Sequence, residues 1–332
     1  MSSPKHIAIA GATGAVGVEM LKCLEERDFP IASLRLLASA RSKGKPMTFR
    51  GEQLLVEELT KDSFGGIDIA LFSAGSGISK QFAKPAVGAG AVVVDNSSAF
   101  RMDEGVPLVV PEINGADAQN HNGVIANPNC TTIVTLMGLN PLHKAWGARK
   151  IIASSYQSVS GSGQAGITEL DNQIKAIVKG EPIEKNVYWH QIASNVIPEI
   201  GGVGPNGYTS EEMKMQNEGR KILHTSGLLA SVTCVRVPVH RSHSIAATVE
   251  FERTPSVEEA RKLIEAAPGV GLIDDDVNNR YPTPLDSTDG DDCFVGRIRR
   301  DLVFENGLSF FVVGDQVRKG AALNAVQIAE LL

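Results

Sequence analysis

The turn Asn127-Pro128-Asn129 and the following Cys130 place a thiol where it could act as a nucleophile. The apolar run 123–126 before the turn predicts a strand, and the dense apolar residues of 133–139 predict a buried helix. Cys130 is therefore expected in the first helical turn. There the backbone N–H groups and the positive end of the helix dipole would stabilise a thiolate and a developing oxyanion. By position alone a buried packing role is more common for a cysteine, so both interpretations stay open here.

A second candidate site is the glycine-rich segment Gly11-Ala-Thr-Gly-Ala-Val-Gly17. It follows the apolar run 6–10 and precedes the helical pattern 18–24, which is the order of a dinucleotide-binding fingerprint. In such a turn glycine lets the backbone approach a pyrophosphate at the helix N-terminus. The spacing is GxxGxxG rather than GxGxxG, so a tight turn without a ligand is the alternative. The cofactor contacts expected from this segment are Gly11, Thr13, Gly14, Ala15 and Val16.

The residues after the second predicted strand favour NADP over NAD. This strand, 34–38, ends without the acidic residue that would bind a ribose 2′-hydroxyl, and Arg41 and Ser42 follow it. We expect both to bind a 2′-phosphate, with a solvated basic loop as the alternative. Ser73 and Gly75 follow a further apolar run and are also candidate cofactor contacts.

The first part of the chain predicts an α/β fold with a Rossmann-type, doubly wound parallel sheet, because apolar runs alternate with helical patterns. A helix over 79–87 is expected to break near Pro85. Ligands bind beyond the carboxyl ends of strands in such sheets, so Arg101 is a candidate anion-binding residue, or else a simple surface charge. Further strands are expected at 67–72, 91–95 and 108–110.

After Cys130 long β-rich runs appear, which predicts an α+β second domain on a largely antiparallel or mixed sheet. Its expected strands are 150–159, 231–239, 244–250, 294–298 and 308–313, and its expected helices are 164–179, 210–223 and 256–266. Thr209 and Glu212 form a capping-box pattern before the second of these helices. We predict an NADP-binding domain at 1–129, completed by a C-terminal helix at 315–332, and a second domain at 130–314.

Composition excludes several classes of partner. The chain has 332 residues and a net charge of −6, without a Lys/Arg block, so neither nucleic acid nor an anionic membrane is an expected partner. No apolar run approaches the roughly 18–20 residues that span a bilayer. The four cysteines lack paired spacing and no signal peptide precedes them, which predicts a cytoplasmic protein with free thiols. No metal site is expected.

Six segments, in family order from near the first residue to near the last, resemble the aspartate-β-semialdehyde dehydrogenases. The resemblance implies NADPH-dependent reductive dephosphorylation of L-β-aspartyl phosphate to L-aspartate β-semialdehyde and phosphate, through a cysteine thioacyl intermediate. The resemblance places this oxidoreductase in lysine (diaminopimelate), threonine, methionine and isoleucine biosynthesis. It implies a homodimer or homotetramer, with residues 130–314 as the catalytic and dimerisation domain. The matching segments are Gly11–Gly17, Asn96-Ser-Ser-Ala-Phe-Arg101, Asn127-Pro-Asn-Cys-Thr-Thr132, Glu211-Glu-Met-Lys214, Arg236-Val-Pro-Val239 with His243-Ser244, and Gly314-Asp-Gln316.

The same resemblance implies catalytic roles. Cys130 would be the nucleophile, His243 the acid/base residue and Gln157 a neighbour of the acyl group. We add Asn129 as an expected contributor to the oxyanion site. His240 lies close to His243 in the chain, so its share in the acid/base role stays open.

Binding roles follow from the resemblance as well. Arg236 would bind the substrate α-carboxylate and Glu211 would face the substrate amine. Arg101 and Lys214 would bind phosphate, although without the resemblance Glu211 and Lys214 would be interpreted as a solvated ion pair. Further cofactor contacts are implied for Ser160, Gly161 and Gln316.

Two other functions fit parts of the chain. N-acetyl-γ-glutamyl-phosphate reductase shares the two-domain plan and the thioacyl chemistry, but should show Gly-Cys-Tyr-Pro-Thr where this chain has Asn-Cys-Thr-Thr. A non-catalytic NADPH-sensing protein would keep the glycine-rich turn, yet it would need no nucleophile such as Cys130.

Overall fold

The structure is a computed structural model that describes residues 3–332. It divides into two compact units. Unit 1 holds the described residues up to Asn129 together with Ala321–Leu332, and unit 2 is Cys130–Gly320. Among the described residues, no helix is both long and apolar enough to cross a membrane.

Unit 1 contains a six-stranded parallel sheet, which confirms the predicted Rossmann-type fold class. Its strand order is β5-β2-β1-β6-β7-β8, and β3 and β4 form a separate antiparallel hairpin. Strand β1, one of the two central strands, is buried on both faces along its last four residues, as expected for a parallel sheet covered by helices. The elements in chain order are β1 (Lys5–Ala10), α1 (Ala15–Glu26), β2 (Ile31–Ala38), β3 (Pro46–Phe49), β4 (Glu52–Leu55), β5 (Glu57–Glu58), β6 (Ile69–Phe72), α2 (Ser76–Gly88), β7 (Val92–Asp95), α3 (Pro111–Asn114) and β8 (Val124–Ala126).

Two local predictions for unit 1 are wrong. Helix α2 continues through Pro85 to Gly88, because the buried face that includes Phe82 and Ala86 packs into the core and offsets the missing backbone hydrogen bond. The run 108–110 is not a strand: only an isolated bridge joins Leu108 to Ala126, and Pro111 begins α3 directly afterwards.

Unit 2 is built on a mixed six-stranded sheet in the order β10-β9-β11-β14-β13-β12. The outer pairs β9–β10 and β12–β13 are parallel, and the three inner pairs are antiparallel. The elements are α4 (Cys130–Trp146), β9 (Ala148–Gln157), α5 (Gly163–Lys179), α6 (Ser210–Ile222), β10 (Leu229–Arg236), β11 (His243–Phe251), α7 (Val257–Glu265), β12 (Val270–Leu272), α8 (Pro284–Ser287), β13 (Cys293–Arg300) and β14 (Gly307–Gly314). A π-helical turn at Arg318–Ala322 follows β14 and leads back to unit 1, which contains α9 (Leu323–Glu330).

The return of the chain to unit 1 lies later than the expected residue 315. Residues 315–320 belong to unit 2, and the side chains of two of them form hydrogen bonds with other residues of that unit. The Asp315 carboxylate accepts a hydrogen bond from Arg241 Nε at 2.6 Å, and Gln316 Oε1 accepts one from the Ser242 N–H at 2.8 Å. These bonds join residues far apart in sequence, so no local pattern marks the boundary.

Within unit 1, α9 fixes the turn that leads out of β8. Asn324 donates hydrogen bonds to the Val109 carbonyl at 2.9 Å and to Asn127 Oδ1 at 2.6 Å. Asn127 in turn donates to Asn96 Oδ1 at 2.5 Å. Asn324 and Asn127 are almost fully buried, so the amide chain connects the last helix to the segment before Cys130 without bulk water.

We predict that Gly17→Ala destabilises unit 1. A Cβ at Gly17 would lie 2.3 Å from the Gly11 carbonyl oxygen, so helix and turn would have to separate. Overpacking of this kind costs about 1–3 kcal/mol. Thermal unfolding should show a lower Tm. The matched control is Gly77→Ala in α2, where a Cβ meets no atom within 4 Å; an equal loss of Tm there would contradict the close-packing explanation.

Candidate active site and nucleotide-binding turn

Cys130 is the first residue of α4, as the turn before it predicted, and it is half-buried. Thus the thiol stands at the N-terminal end of a 17-residue helix, where the helix dipole favours the thiolate. Gly320 packs against this residue: a Cβ built on Gly320 would lie 2.9 Å from the Cys130 Cβ. Only glycine therefore fits beside Cys130 at this point.

Ser158, just after β9, connects the other candidate residues of unit 2. Its N–H and its Oγ each lie 3.2 Å from His243 Nδ1, and its carbonyl accepts a hydrogen bond from Arg236 Nη1 at 2.6 Å. Because a backbone N–H can only donate, Nδ1 must be the acceptor. This bond assigns the proton of the neutral ring to Nε2.

His243 is fully buried, and its Nε2 has no hydrogen-bond partner among the described residues. Burial, and to a smaller extent the charge of Arg236, lower the pKa of His243 to about 3, although Glu211 and a backbone hydrogen bond with Ser242 act in the opposite direction. The ring is thus neutral near pH 7 and offers an N–H at Nε2. It can donate a hydrogen bond from there, but it cannot accept a proton there without a change of tautomer.

Arg236 ends β10 and is buried. Its Nε has no hydrogen-bond partner among the described residues. A Cβ at Gly161 would lie 2.8 Å from Arg236 Nη1 and 3.4 Å from His243 Cε1. Gly161, predicted as a cofactor contact, therefore packs against both side chains.

Gln157 and Glu211 meet at the end of β9 and the start of α6. Gln157 Nε2 donates to Ser155 Oγ at 3.2 Å and to Glu211 Oε1 at 3.4 Å. Glu211 forms an ion pair with Lys214 at 2.7 Å, and its side chain is only 10% exposed. Glu211 is thus no freely solvated surface charge. The predicted capping box of Thr209 and Glu212 is confirmed.

Cys234 lies in the same region but is a poor nucleophile. Burial raises its pKa to about 12, which keeps it a thiol at neutral pH. Cys23 and Cys293 are likewise buried. No disulfide joins the chain's four cysteines, all of which lie in the described part.

His240 lies apart from the buried cluster. Its side chain is 53% exposed and forms a contact of 2.7 Å with Asp171.

Ser242 directly precedes His243. It has a φ of +73°, and its N–H donates to Gln316. Gln316 also donates to Ser160 Oγ, so these two predicted cofactor contacts are hydrogen-bonded to each other and buried.

In unit 1 the glycine-rich turn joins β1 to α1. Gly14 is the N-cap of α1 and no side chain caps the first turn, which includes Ala15 and Val16. Gly11 has a φ of +93°, and a Cβ there would lie 2.3 Å from the Ser73 carbonyl oxygen. An uncapped helix N-terminus beside a turn that only glycine fits is suited to a pyrophosphate.

The residues predicted to surround the cofactor are placed in the same unit. Arg41 and Ser42 form a short 3₁₀ turn after β2, and Ser42 Oγ lies 3.4 Å from Thr13 Oγ1. Gly75 is the N-cap residue of α2 with a φ of +86°, and a Cβ there would meet open space. The residues present therefore fit a dinucleotide with a 2′-phosphate.

Arg101 is buried in unit 1, which rules out the simple surface-charge interpretation. Its Nε donates to the Asn127 carbonyl at 2.9 Å and its Nη2 donates to the Asn96 carbonyl at 2.8 Å. Asn129, the last residue of this unit before Cys130, is also buried.

Three residues of the site were missed from the sequence: Ser158, Gly320 and Tyr188, whose ring lies against Arg236. Ser158 stands in the serine-rich run after a predicted strand, which is a signal that could have drawn attention to it. Gly320 and Tyr188 carry no such local signal. No group of three or more His, Cys, Asp or Glu residues that could hold a metal occurs within residues 3–332.

Comparison with known proteins identifies the family. The model described as semialdehyde dehydrogenase, NAD binding domain, matches residues 6–121, and that described as semialdehyde dehydrogenase, dimerisation domain, matches residues 139–319. Together with the fold and the cysteine site, these matches define a two-domain semialdehyde dehydrogenase.

Named relatives narrow the class. The aspartate-semialdehyde dehydrogenase of Bacillus subtilis (strain 168) is 50% identical over 335 residues, covering 98% of this chain and 97% of the relative. That of Aquifex aeolicus (strain VF5) is 51% identical over 331 residues, with the same coverage of 98% and 97%. The crystal structure of aspartate semialdehyde dehydrogenase II complexed with ASA from Vibrio cholerae has a TM-score of 0.97 at 44% identity, covering 100% and 98% of the two chains. The chain belongs to the aspartate-semialdehyde dehydrogenase family.

We predict that the His243 ring stays neutral, with its proton on Nε2, from pH 8 down to about pH 5. Its folded pKa of about 3 lies below the usual value of about 6.5, so the folded state binds fewer protons than the unfolded state between these two values. The folded protein therefore loses stability as the pH falls from about 6.5 towards about 3. NMR of ¹⁵N-labelled imidazoles, assigned with His243→Asn, measures this directly. The urea-unfolded chain is the control, in which the same ring should titrate near 6.5. A folded-state midpoint near 6.5 would contradict the assignment.

Proposed function

We propose that this enzyme reduces L-β-aspartyl phosphate to L-aspartate β-semialdehyde and phosphate with NADPH. The observation that carries the proposal is the set of groups in unit 2. A half-buried cysteine begins α4, and Ser158 joins a buried neutral histidine to a buried arginine. The names of relatives about half identical to this chain support the choice of substrate.

In the proposed reaction Cys130 attacks the acyl carbon as the thiolate. A C–S bond forms, the C–O bond to phosphate breaks, and phosphate leaves with the electron pair of that bond, which splits one difficult step into two easier ones. When bound, the cofactor supplies the hydride for reduction of the thioester. The C–S bond to Cys130 then breaks as the aldehyde forms. Asn129 and the first turn of α4 are proposed to stabilise the oxyanion.

His243 is proposed to act through Nε2. Its N–H can donate to the carbonyl oxygen of the acyl group as negative charge develops there, which is the protonation state that its burial enforces. Gln157 is proposed to lie against the acyl group. His240 is not proposed for this step, because its ring is exposed and engaged with Asp171.

Charge complementarity supports a partner for each of the remaining charged groups of the substrate. Arg236 is proposed to bind the α-carboxylate with its planar guanidinium, and Glu211 to face the amine. Arg101 and Lys214 are proposed to bind phosphate.

The glycine-rich turn with Gly11, Gly14 and the first turn of α1 is proposed to hold the pyrophosphate of NADP. Arg41 and Ser42 would hold the 2′-phosphate, since no acidic residue ends β2. Ser160, Gly161 and Gln316 remain proposed cofactor contacts from unit 2. Gly161 also packs against Arg236 and His243, and Gln316 accepts a hydrogen bond from Ser242, so these two residues support those groups as well.

We propose a homodimer or homotetramer assembled through the sheet of unit 2. One sheet face packs against α4, α6 and α7, whereas the opposite face exposes Ile152 (51%) and Tyr156 (40%). The Tyr156 ring lies 6.3 Å from that of Phe311, so the apolar surface crosses several strands. The match to a dimerisation domain favours a second copy as the cover of this face.

A cytoplasmic location is proposed as well. Its support is the set of four cysteines without a disulfide, all in the described part of the chain, as expected in a reducing compartment.

The reverse assay tests the function. With aspartate β-semialdehyde, phosphate and NADP we expect NADPH to form, with a clearly higher kcat/KM than with NAD. N-acetylglutamate semialdehyde should not replace the substrate. Cys130→Ala should lower kcat by at least about 10⁴-fold, since the covalent step is lost. Cys23→Ala, at a buried cysteine of α1, is the matched control. Activity only with N-acetylglutamate semialdehyde, or normal turnover of Cys130→Ala, would refute the proposal.

The assembly has its own test. Ile152→Asp should shift the wild-type oligomer towards monomer in analytical ultracentrifugation, because it puts a charge in an apolar interface. Leu55→Asp is the control: Leu55 is 63% exposed in β4 of unit 1, which is not part of that sheet. If Ile152→Asp assembles like the wild type, this sheet face is not the interface.

A further inference from the structure

One face of α5 holds a segment that has no helix or strand of its own, residues 184–193, here called the Tyr188 segment. The buried Glu169 carboxylate accepts hydrogen bonds from three successive N–H groups, those of Asn186 (2.8 Å), Val187 (2.5 Å) and Tyr188 (3.3 Å). Hydrogen bonds to an ionised acceptor are the stronger kind.

Gln173, one turn further along α5, holds the other part of the segment. Its Oε1 accepts from the N–H groups of Ile192 (2.9 Å) and Ala193 (3.0 Å), and its Nε2 donates to the Glu184 carbonyl at 2.8 Å. The two side chains thus replace the backbone pairing that the segment lacks, and they fix its conformation.

The fixed segment places the Tyr188 ring over Arg236. The guanidinium carbon of Arg236 lies 5.9 Å from the ring centroid, within the range of a cation–π contact. Tyr188 Oη donates to the Val159 carbonyl at 3.4 Å, and a Cβ at Gly166 would lie 2.7 Å from that Oη. Gly166 therefore leaves the room for the ring.

Several neighbours therefore contact the Arg236 guanidinium, but its Nε donor forms no hydrogen bond with the described residues. Ser158 accepts from Nη1, Gly161 lies against the same nitrogen and Tyr188 meets the guanidinium, but Nε has no partner among residues 3–332. A buried donor without an acceptor is costly, and a bound anion removes that cost. Arg236 and Tyr188 line the same cavity, of about 380 Å³.

We propose that Tyr188 and Glu169 are positioning residues for substrate binding. Glu169 fixes the Tyr188 segment, and Tyr188 orients the Arg236 guanidinium so that it binds the α-carboxylate of aspartate β-semialdehyde. The inference rests on the proposed function and deepens it. Neither residue takes part in the chemical steps, so the effect belongs to substrate affinity rather than to turnover.

The test is the reverse assay with separate KM values. Tyr188→Leu should raise the KM for aspartate β-semialdehyde by about 5–20-fold, the scale of a buried cation–π contact. The kcat and the KM for phosphate should stay within about twofold of the wild type. Tyr188→Phe keeps the ring and should retain the wild-type KM. Glu169→Gln should raise the same KM through the loosened segment, whereas Glu181→Gln, at an exposed residue just after α5, should not.

An unchanged KM for the aldehyde in both Tyr188→Leu and Glu169→Gln would overturn the inference while wild-type activity upholds the proposed function. A lower kcat together with similar rises in the KM of every substrate would also overturn it, because a purely structural role would produce that result. Absence of wild-type turnover with aspartate β-semialdehyde would overturn both. Should Tyr188→Leu fail to fold, Glu169→Gln with its Glu181→Gln control decides the question on its own.

Discussion

The backbone at Ser158 is the constraint on which the chemistry-bearing part of unit 2 depends. Its N–H meets His243 at the start of β11, and its carbonyl meets Arg236 at the end of β10. Both partners are buried, so neither bond competes with water, and a small shift at Ser158 would disturb two side chains at once. The parallel pairing of β9 with β10 and the antiparallel pairing of β9 with β11 bring these three strand ends together. The mixed character of the sheet is thus what assembles the site.

Several of these polar groups cost stability in the folded protein. His243 Nε2 and Arg236 Nε are buried without a partner among the described residues, and burial keeps the imidazole neutral. Buried donors that lack acceptors are uncommon in folded proteins, and they are found where a ligand completes them. The arrangement is pre-organised for negative charge: a neutral N–H and a fixed cation both lie beside the glycine at 161.

Sequence patterns predicted those parts of the molecule that depend on local chemistry. The turn before Cys130, the box formed by Thr209 and Glu212, and the glycine-rich turn are each encoded within a few residues, and the structure has them. The contacts of Ser158 with Arg236 and His243 span 78 and 85 positions, so no local pattern shows them. The helix break expected at Pro85 failed for the converse reason, since burial of one helical face outweighed a single missing hydrogen bond. The run 108–110 had strand composition, but Pro111 left it too short to pair as a strand.

The hydrogen bond between Asn324 and Asn127 joins positions that are 197 residues apart. It connects α9 to the start of the segment that leads into α4. During synthesis the whole of unit 2 leaves the ribosome before α9 does. Unit 2 is one continuous stretch and can fold as it emerges, whereas the core of unit 1 stays incomplete until α9 has been synthesised. Contacts this distant in sequence form late, so the apolar residues of unit 1 stay exposed for longer than those of unit 2 in a nascent chain. A chain cut before α9 would therefore keep every residue of unit 2 and leave unit 1 open.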